Sequence, residues 1–182
     1  MEFPEKTITL KDGRSCLLRS PRHEDAAEML DYLHKTAAET HFLLRSPEDV
    51  NETLESEERF IQDIVSSPNN LMIVASVEGK LAGNCDIGFK TRSRNRHRAS
   101  IAIGLLKEFW NLGIGTAMFE EMISAARKRG GIEQLELEVI EGNERGIALY
   151  EKFGFRTVAA IPDAIRLKDG NYLKEFVMIK KL

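Results

Sequence analysis

The segment that most constrains this chain is an apolar run, Arg98 to Leu106, that enters Trp110-Asn111-Leu112-Gly113-Ile114-Gly115-Thr116 and then a helix. The helix, read over Gly115 to Arg129, carries Met118, Phe119, Met122, Ile123 and Ala126 as one apolar stripe. Arg127, Lys128 and Arg129 fall in its last turn, where cations meet the negative dipole end, and Gly130-Gly131 stops it. A second strand follows from Leu135 to Ile140. A strand-helix-strand unit of this kind requires a parallel pair in the sheet. Gly113 and Gly115 lack a β-carbon, so backbone N–H groups there can approach an anion closely. The helix start adds unpaired N–H groups and a positive dipole end, a site for phosphate oxygens. The same residues also read as a tight turn before a helix. A P-loop lysine is missing, and position 118 is Met where a dinucleotide fingerprint needs glycine.

Around this unit the chain reads as alternating short elements. Thr7 to Leu10 and Cys16 to Arg19 are strands about Lys11-Asp12-Gly13. Pro21 opens a helix through Ala26, Met29, Leu30 and Leu33, and Ala38 to Asp49 is a loop. A second helix covers Val50 to Ser66, with Leu54, Phe60, Ile61 and Ile64 inward. Strands follow at Leu71 to Val77 and Lys80 to Phe89, then a polar connection, Thr91 to His97. After the central unit come a short helix from Asn143 to Phe153 and strands at Phe155 to Ile161 and Tyr172 to Ile179. The predicted class is α/β (α+β): a mixed, mostly antiparallel central sheet with helices on both faces.

Bulk properties narrow the functions. With 42% hydrophobic and 30% charged residues over 182 positions, the chain is expected to be one globular domain, residues 1–182. A net charge of -3 gives no footprint for nucleic acid or an anionic membrane and suits a cationic substrate. Met1-Glu2-Phe3-Pro4-Glu5 lacks a signal-peptide core and no apolar run is long enough to span a bilayer. Cys16 and Cys85 lie far apart without metal-ligand spacing, as expected of buried thiols in a reducing, cytoplasmic protein.

The turn has a downstream companion: Asn143, Leu149, Tyr150, Gly154 and Phe155 fit N-x-x-A-x-x-L-Y-x-x-x-G-F. With the turn written as [Q/R]-x-x-G-x-[G/A], and one helix and one strand between the blocks, the chain resembles the GNAT superfamily of N-acetyltransferases over nearly its whole length. It departs from the pattern at Trp110, where Gln or Arg is usual, at Asn111, often glycine, and at Gly146, usually alanine. The resemblance implies acetyl-CoA as cosubstrate and direct attack by a primary amine, a small molecule being favoured. It implies that Ile103 and Leu105 offer strand backbone to the pantetheine arm. It likewise implies that Leu112, Gly113, Ile114, Gly115 and Thr116 donate N–H groups to the pyrophosphate. Asn143 would meet the pantetheine or acyl region, and Tyr150 would lie beside the sulfur. By the same resemblance Glu39, His41 and Phe42 shape the acceptor pocket, and the final strand leaves a homodimer open.

An alkylammonium of pKa about 10.4 is only about 0.04% neutral at pH 7, so the chemistry calls for a base or a water chain. Glu136 and Glu138 project from one side of their strand; Glu138, nearer its carboxyl end, is the candidate base, and a solvated or paired strand face is the plain alternative. Tyr150 reads either as packing or as the acid for the departing thiolate, and Asn143 either as a helix cap or as a cofactor contact. Arg92, Arg94, Arg96, His97 and Arg98 form a basic hairpin, solvated or meeting an acidic group. No nucleophile set is recognisable, so neither a covalent acyl-enzyme nor a metal is expected. A non-enzymatic acyl-CoA-binding module and an acetyltransferase for protein amines are the competing functions.

Overall fold

A computed structural model describes residues 1–182. Its core is an eight-stranded sheet. The strands are β1 (Lys6–Thr9), β2 (Ser15–Arg19), β3 (Asn70–Val77), β4 (Lys80–Phe89), β5 (Arg98–Leu105), β6 (Gln134–Ile140), β7 (Arg156–Arg166) and β8 (Tyr172–Lys181), in the order β1-β2-β3-β4-β5-β6-β8-β7. Every neighbouring pair is antiparallel except β5 and β6, as the strand-helix-strand unit requires. Four α-helices flank it: α1 (Ala26–Glu39), α2 (Leu54–Ser66), α3 (Ile114–Arg129) and α4 (Glu144–Lys152).

The β5–β6 pairing is short. Arg98, Ala99 and Ser100 pair with Gln134, Leu135 and Glu136, and beyond them the two strands separate. Glu136 pins the paired end, taking the Ser100 hydroxyl at 3.1 Å, the Arg98 guanidinium and the Lys90 ammonium at 3.3 Å. On the far side of β5 the bond from Leu106 N–H to Ala82 C=O continues the ladder with β4 and sets its phase. Alternate residues therefore turn their backbone groups away from β4, and Ile103 and Leu105 are among them. Their N–H and C=O groups face the gap.

The two helix layers meet opposite faces of β5. A β-carbon placed on Gly104 would lie 2.4 Å from the Tyr32 hydroxyl of α1, so only glycine lets the helix pack this closely. A β-carbon on Gly115 of α3 would meet Leu149 at 3.2 Å and Leu105 at 3.7 Å, from the other face. Beneath α3 and α4, Phe119 packs against Tyr150, Phe153 and Phe155 at centroid distances of 5.2, 5.4 and 6.0 Å.

Several boundaries differ from the sequence reading. The first helix starts at Ala26 rather than Pro21, because Asp25 binds Arg19 at 2.6 Å and the Arg22 N–H at 2.7 Å in a preceding 3-10 turn. Leu54 and Phe60 face outward, 49% and 43% exposed; the buried stripe of α2 is Glu57 and Ile61. β7 runs on to Arg166 through Pro162, which falls in an irregularity between Ile161 and Ile165 where the pairing with β8 is interrupted and no ladder N–H is needed. The final strand, β8, is paired on both sides, so the free edge belongs to β7, with Val158 and Ile161 exposed. No helix is long and apolar enough to cross a membrane.

Gly104→Ala should lower the thermal midpoint by several degrees, a cost of about 1–3 kcal/mol for the forced movement of Tyr32. Tyr32→Phe in the same chain removes the clashing oxygen and should recover part of the loss, measured by differential scanning calorimetry.

Candidate active site

Where β5 and β6 part, a cleft of about 710 Å³ opens between them. Ile103 and Leu105 form one wall, and Leu137 and Glu138 the other. Asn143 and Tyr150 of the α4 region close one end, and Phe42 roofs it against Gly142. The cleft thus gathers Ile103, Leu105, Phe42, Glu138, Asn143 and Tyr150 from the sequence expectations. Glu39 and His41 do not join them. Glu39 is the last residue of α1, not a loop residue, and its carboxylate accepts the Lys107 N–H at 2.8 Å, fastening α1 to the end of β5. His41 is exposed and packs on Phe42 at 4.4 Å.

The glycine turn adjoins the cleft through Gly115, whose neighbours Ile103, Leu105 and Leu149 all line it. Gly113 has φ 101° and caps α3, and Asn111 has φ 64°. Asparagine is among the few side chains that accept this conformation, which accounts for Asn111 standing where glycine is frequent. The first bond closing α3 runs from Ala117 N–H to Gly113 C=O. The N–H groups of Leu112, Gly113, Ile114, Gly115 and Thr116 make no bond within the protein, leaving a row of free donors at a helix start.

Trp110 has a definite role. Its indole N–H donates to the Leu105 carbonyl at 2.8 Å, and its ring carries the Arg145 guanidinium at 4.0 Å. Arg145, which lines the cleft from the first turn of α4, is a cation that the sequence reading passed over. Asn143 is the cap of α4, accepting the Gly146 N–H at 3.0 Å. A β-carbon on Gly146 would come within 2.8 Å of the Asn143 side chain, which explains glycine at that position.

Tyr150 is 7% exposed, and burial pushes its phenol up to about 12. Glu136 is held low by its cationic and hydroxyl partners despite its burial, so it belongs to the frame. Glu138 is exposed at the cleft, on the same strand face as Glu175 of β8. Burial and repulsion by Glu138 raise the Glu175 carboxyl. Arg98 is committed to Glu136, while Arg92, Arg94 and Arg96 are exposed in the turn before β5, away from the gap. Cys16 and Cys85 are buried free thiols.

A second pocket of about 360 Å³ shares Ala102, Ile103 and Gly104 with the cleft and lies under α1. Asp86 of β4 lines it, beside Tyr32, Thr36, Asn84 and Arg45. Burial alone pushes its carboxyl up to about 6. The sequence signal for Asp86 was a lone carboxylate in an apolar strand, Leu81 to Phe89, where the plain alternation gives no reason for a charge.

The Acetyltransferase (GNAT) family pattern matches residues 30–155, more than half of the chain. The chain belongs to the GNAT family of acetyltransferases. The Escherichia coli (strain K12) protein L-amino acid N-acetyltransferase AaaT is 25% identical over 125 residues, 69% of this chain and 76% of that protein. A GNAT-family acetyltransferase structure from Streptococcus pneumoniae superposes with a TM-score of 0.85 at 30% identity, covering 92% of this chain and 99% of that one. The fold is shared, at 17% identity and a TM-score of 0.77, with a putative acetyltransferase of Salmonella typhimurium solved with its cofactor acetyl-CoA, over 92% of this chain and 94% of that one. This GNAT chain is thus an acyl-CoA-dependent acetyltransferase.

Asp86 has a folded-state carboxyl above its unfolded value of 3.8, so the folded chain holds its proton longer and stability falls as pH rises from about 4 through about 6. Asp86→Asn should therefore raise the thermal midpoint by several degrees at pH 8, at most about 3 kcal/mol, and have little effect at pH 4. Melting curves at the two pH values check it.

Proposed function

We propose that the chain moves an acetyl group from acetyl-CoA to the primary amine of a small molecule by direct attack within a ternary complex. The observation that carries this reading is the β5–β6 gap. The outward backbone groups of Ile103 and the Leu105 N–H border the cleft, Tyr150 lies buried in its lining, and the free N–H row at Leu112–Thr116 adjoins it through Gly115. When bound, acetyl-CoA supplies the activated acyl carbon. The N–H row receives the pyrophosphate, and Arg145, steadied on Trp110, adds the side-chain cation that position 110 does not provide. The outward N–H of Ile103 or Leu105 polarises the acyl oxygen.

Tyr150 serves the departing sulfur. With its phenol near 12 and a thiol near 8.5, full proton transfer is uphill by about 3.5 units, or about 5 kcal/mol. Tyr150 therefore stabilises the thiolate as a hydrogen-bond donor and keeps its own proton. Glu138, exposed on the cleft, draws the cationic acceptor toward the gap. A small acceptor suits an inner pocket of about 360 Å³ that is roofed by α1, and the similarity to an L-amino acid N-acetyltransferase favours the same class. Two free buried thiols suit a reducing, cytoplasmic setting.

Tyr150→Phe separates an enzyme from a binding module. The account expects kcat to fall about 10- to 100-fold with the acetyl-CoA dissociation constant changed less than about threefold. Steady-state thiol release and calorimetric titration supply the two readings; unchanged turnover would remove Tyr150 from the mechanism.

A further inference from the structure

We propose that Asp86 is the catalytic base that takes the proton from the acceptor ammonium, an assignment that rests on the acetyl-transfer reading above. Three placements converge on it. Asp86 stands opposite Ala102 in the β4–β5 register, and Ala102 borders both the cleft and the inner pocket. It shares the α1 face of the sheet with Asn84 and Gly104, the face opposite the one on which α3 and α4 pack. An amine entering through the inner pocket therefore reaches the gap from the side away from Tyr150, which leaves the tyrosine free to face the sulfur. Finally, Asp86 is half-buried with no ion-pair or hydrogen-bond partner in the protein, whereas Glu136 is fully engaged, Glu39 is used as a fastener and Glu138 is exposed to solvent. A half-buried carboxylate with no partner costs stability unless something enters the pocket to meet it.

The groups that face Asp86 are few. Tyr32 approaches from α1 and Arg45 from the loop after it, while Met72 of β3 and Ala102 of β5, its register neighbours, carry no charge. Arg45 lies 3.1 Å from Glu52, which offsets its charge. Burial makes Asp86 about a hundredfold more basic than an exposed aspartate while leaving it ionised at neutral pH.

The protons balance. The ammonium gives one proton to the Asp86 carboxylate, and the neutral amine nitrogen forms a C–N bond to the acyl carbon as the C–S bond breaks. The second nitrogen-bound proton goes to the departing sulfur, and Asp86 returns the first to solvent through the water-accessible pocket. Ammonium and thioester thus become amide, thiol and one free proton.

The test measures kcat/KM for the full chain with acetyl-CoA and a panel of L-amino acids and linear diamines, from pH 5.5 to 9.5. The proposal expects the wild-type profile to fall on the acid side near pH 6. Asp86→Asn should lose about 100-fold or more at pH 7 with acetyl-CoA affinity within about threefold. It should lack the acid limb near pH 6 and gain about tenfold per pH unit as the amine ionises unaided. Asp86→Glu should restore part of the rate and the limb. Binding of acetyl-CoA by the variant shows that it is folded. Activity of Asp86→Asn within about threefold of wild type at pH 7, with the acid limb intact, would overturn the assignment. A wild-type chain that binds acetyl-CoA yet acetylates no member of the panel would instead remove the small-amine reading, and this inference with it.

Discussion

The separation of β5 from β6 is the constraint on which the site depends. A parallel pair that zipped to its end would bury the outward groups of Ile103 and Leu105 in a ladder and close the cleft. The pairing is held at its start, where Glu136 collects Ser100, Arg98 and Lys90. It goes no further than Ser100 and Glu136, and each strand is then secured by its other neighbour, β5 by β4 and β6 by β8. Backbone polar groups left unpaired inside a sheet are costly unless something satisfies them. One is satisfied internally, the Leu105 carbonyl by Trp110, and the remainder face the cleft.

The departures from the family pattern have local reasons. Asn111 fills a left-handed position that glycine often holds. Trp110 exchanges a direct polar reach for two indirect services, closing the Leu105 carbonyl and carrying Arg145. Gly146 makes room for the Asn143 cap. The cap reading of Asn143 and its place in the cleft are compatible, because capping uses the side-chain oxygen at the very end of α4 that borders the cavity.

Much of this was readable from residue order. The apolar stripe of α3 and the glycine turn made the central unit plain, and the Asn143–Phe155 block gave the turn its meaning. What escaped the sequence depended on contacts between distant segments. Glu39 lies beside the acceptor loop, but its carboxylate is spent on the Lys107 N–H, a partner 68 positions away. Leu54 and Phe60 have apolar chemistry yet sit on the outer side of α2, while Glu57 turns inward and is 4% exposed; composition alone assigns the reverse. Asp86 stood out only as a lone carboxylate in an apolar strand; its meaning comes from the β4–β5 register and from α1 packing over Gly104. The gap itself has no residue signature, since it arises where pairing stops.

Amide hydrogen exchange at residue resolution, with and without acetyl-CoA, tests the gap most directly. The account predicts new protection at the N–H groups of Ile103, Leu105 and Leu112–Thr116, which have no partner in the protein alone. Binding of acetyl-CoA that leaves those amides exchanging as before, and protects another surface, would contradict it.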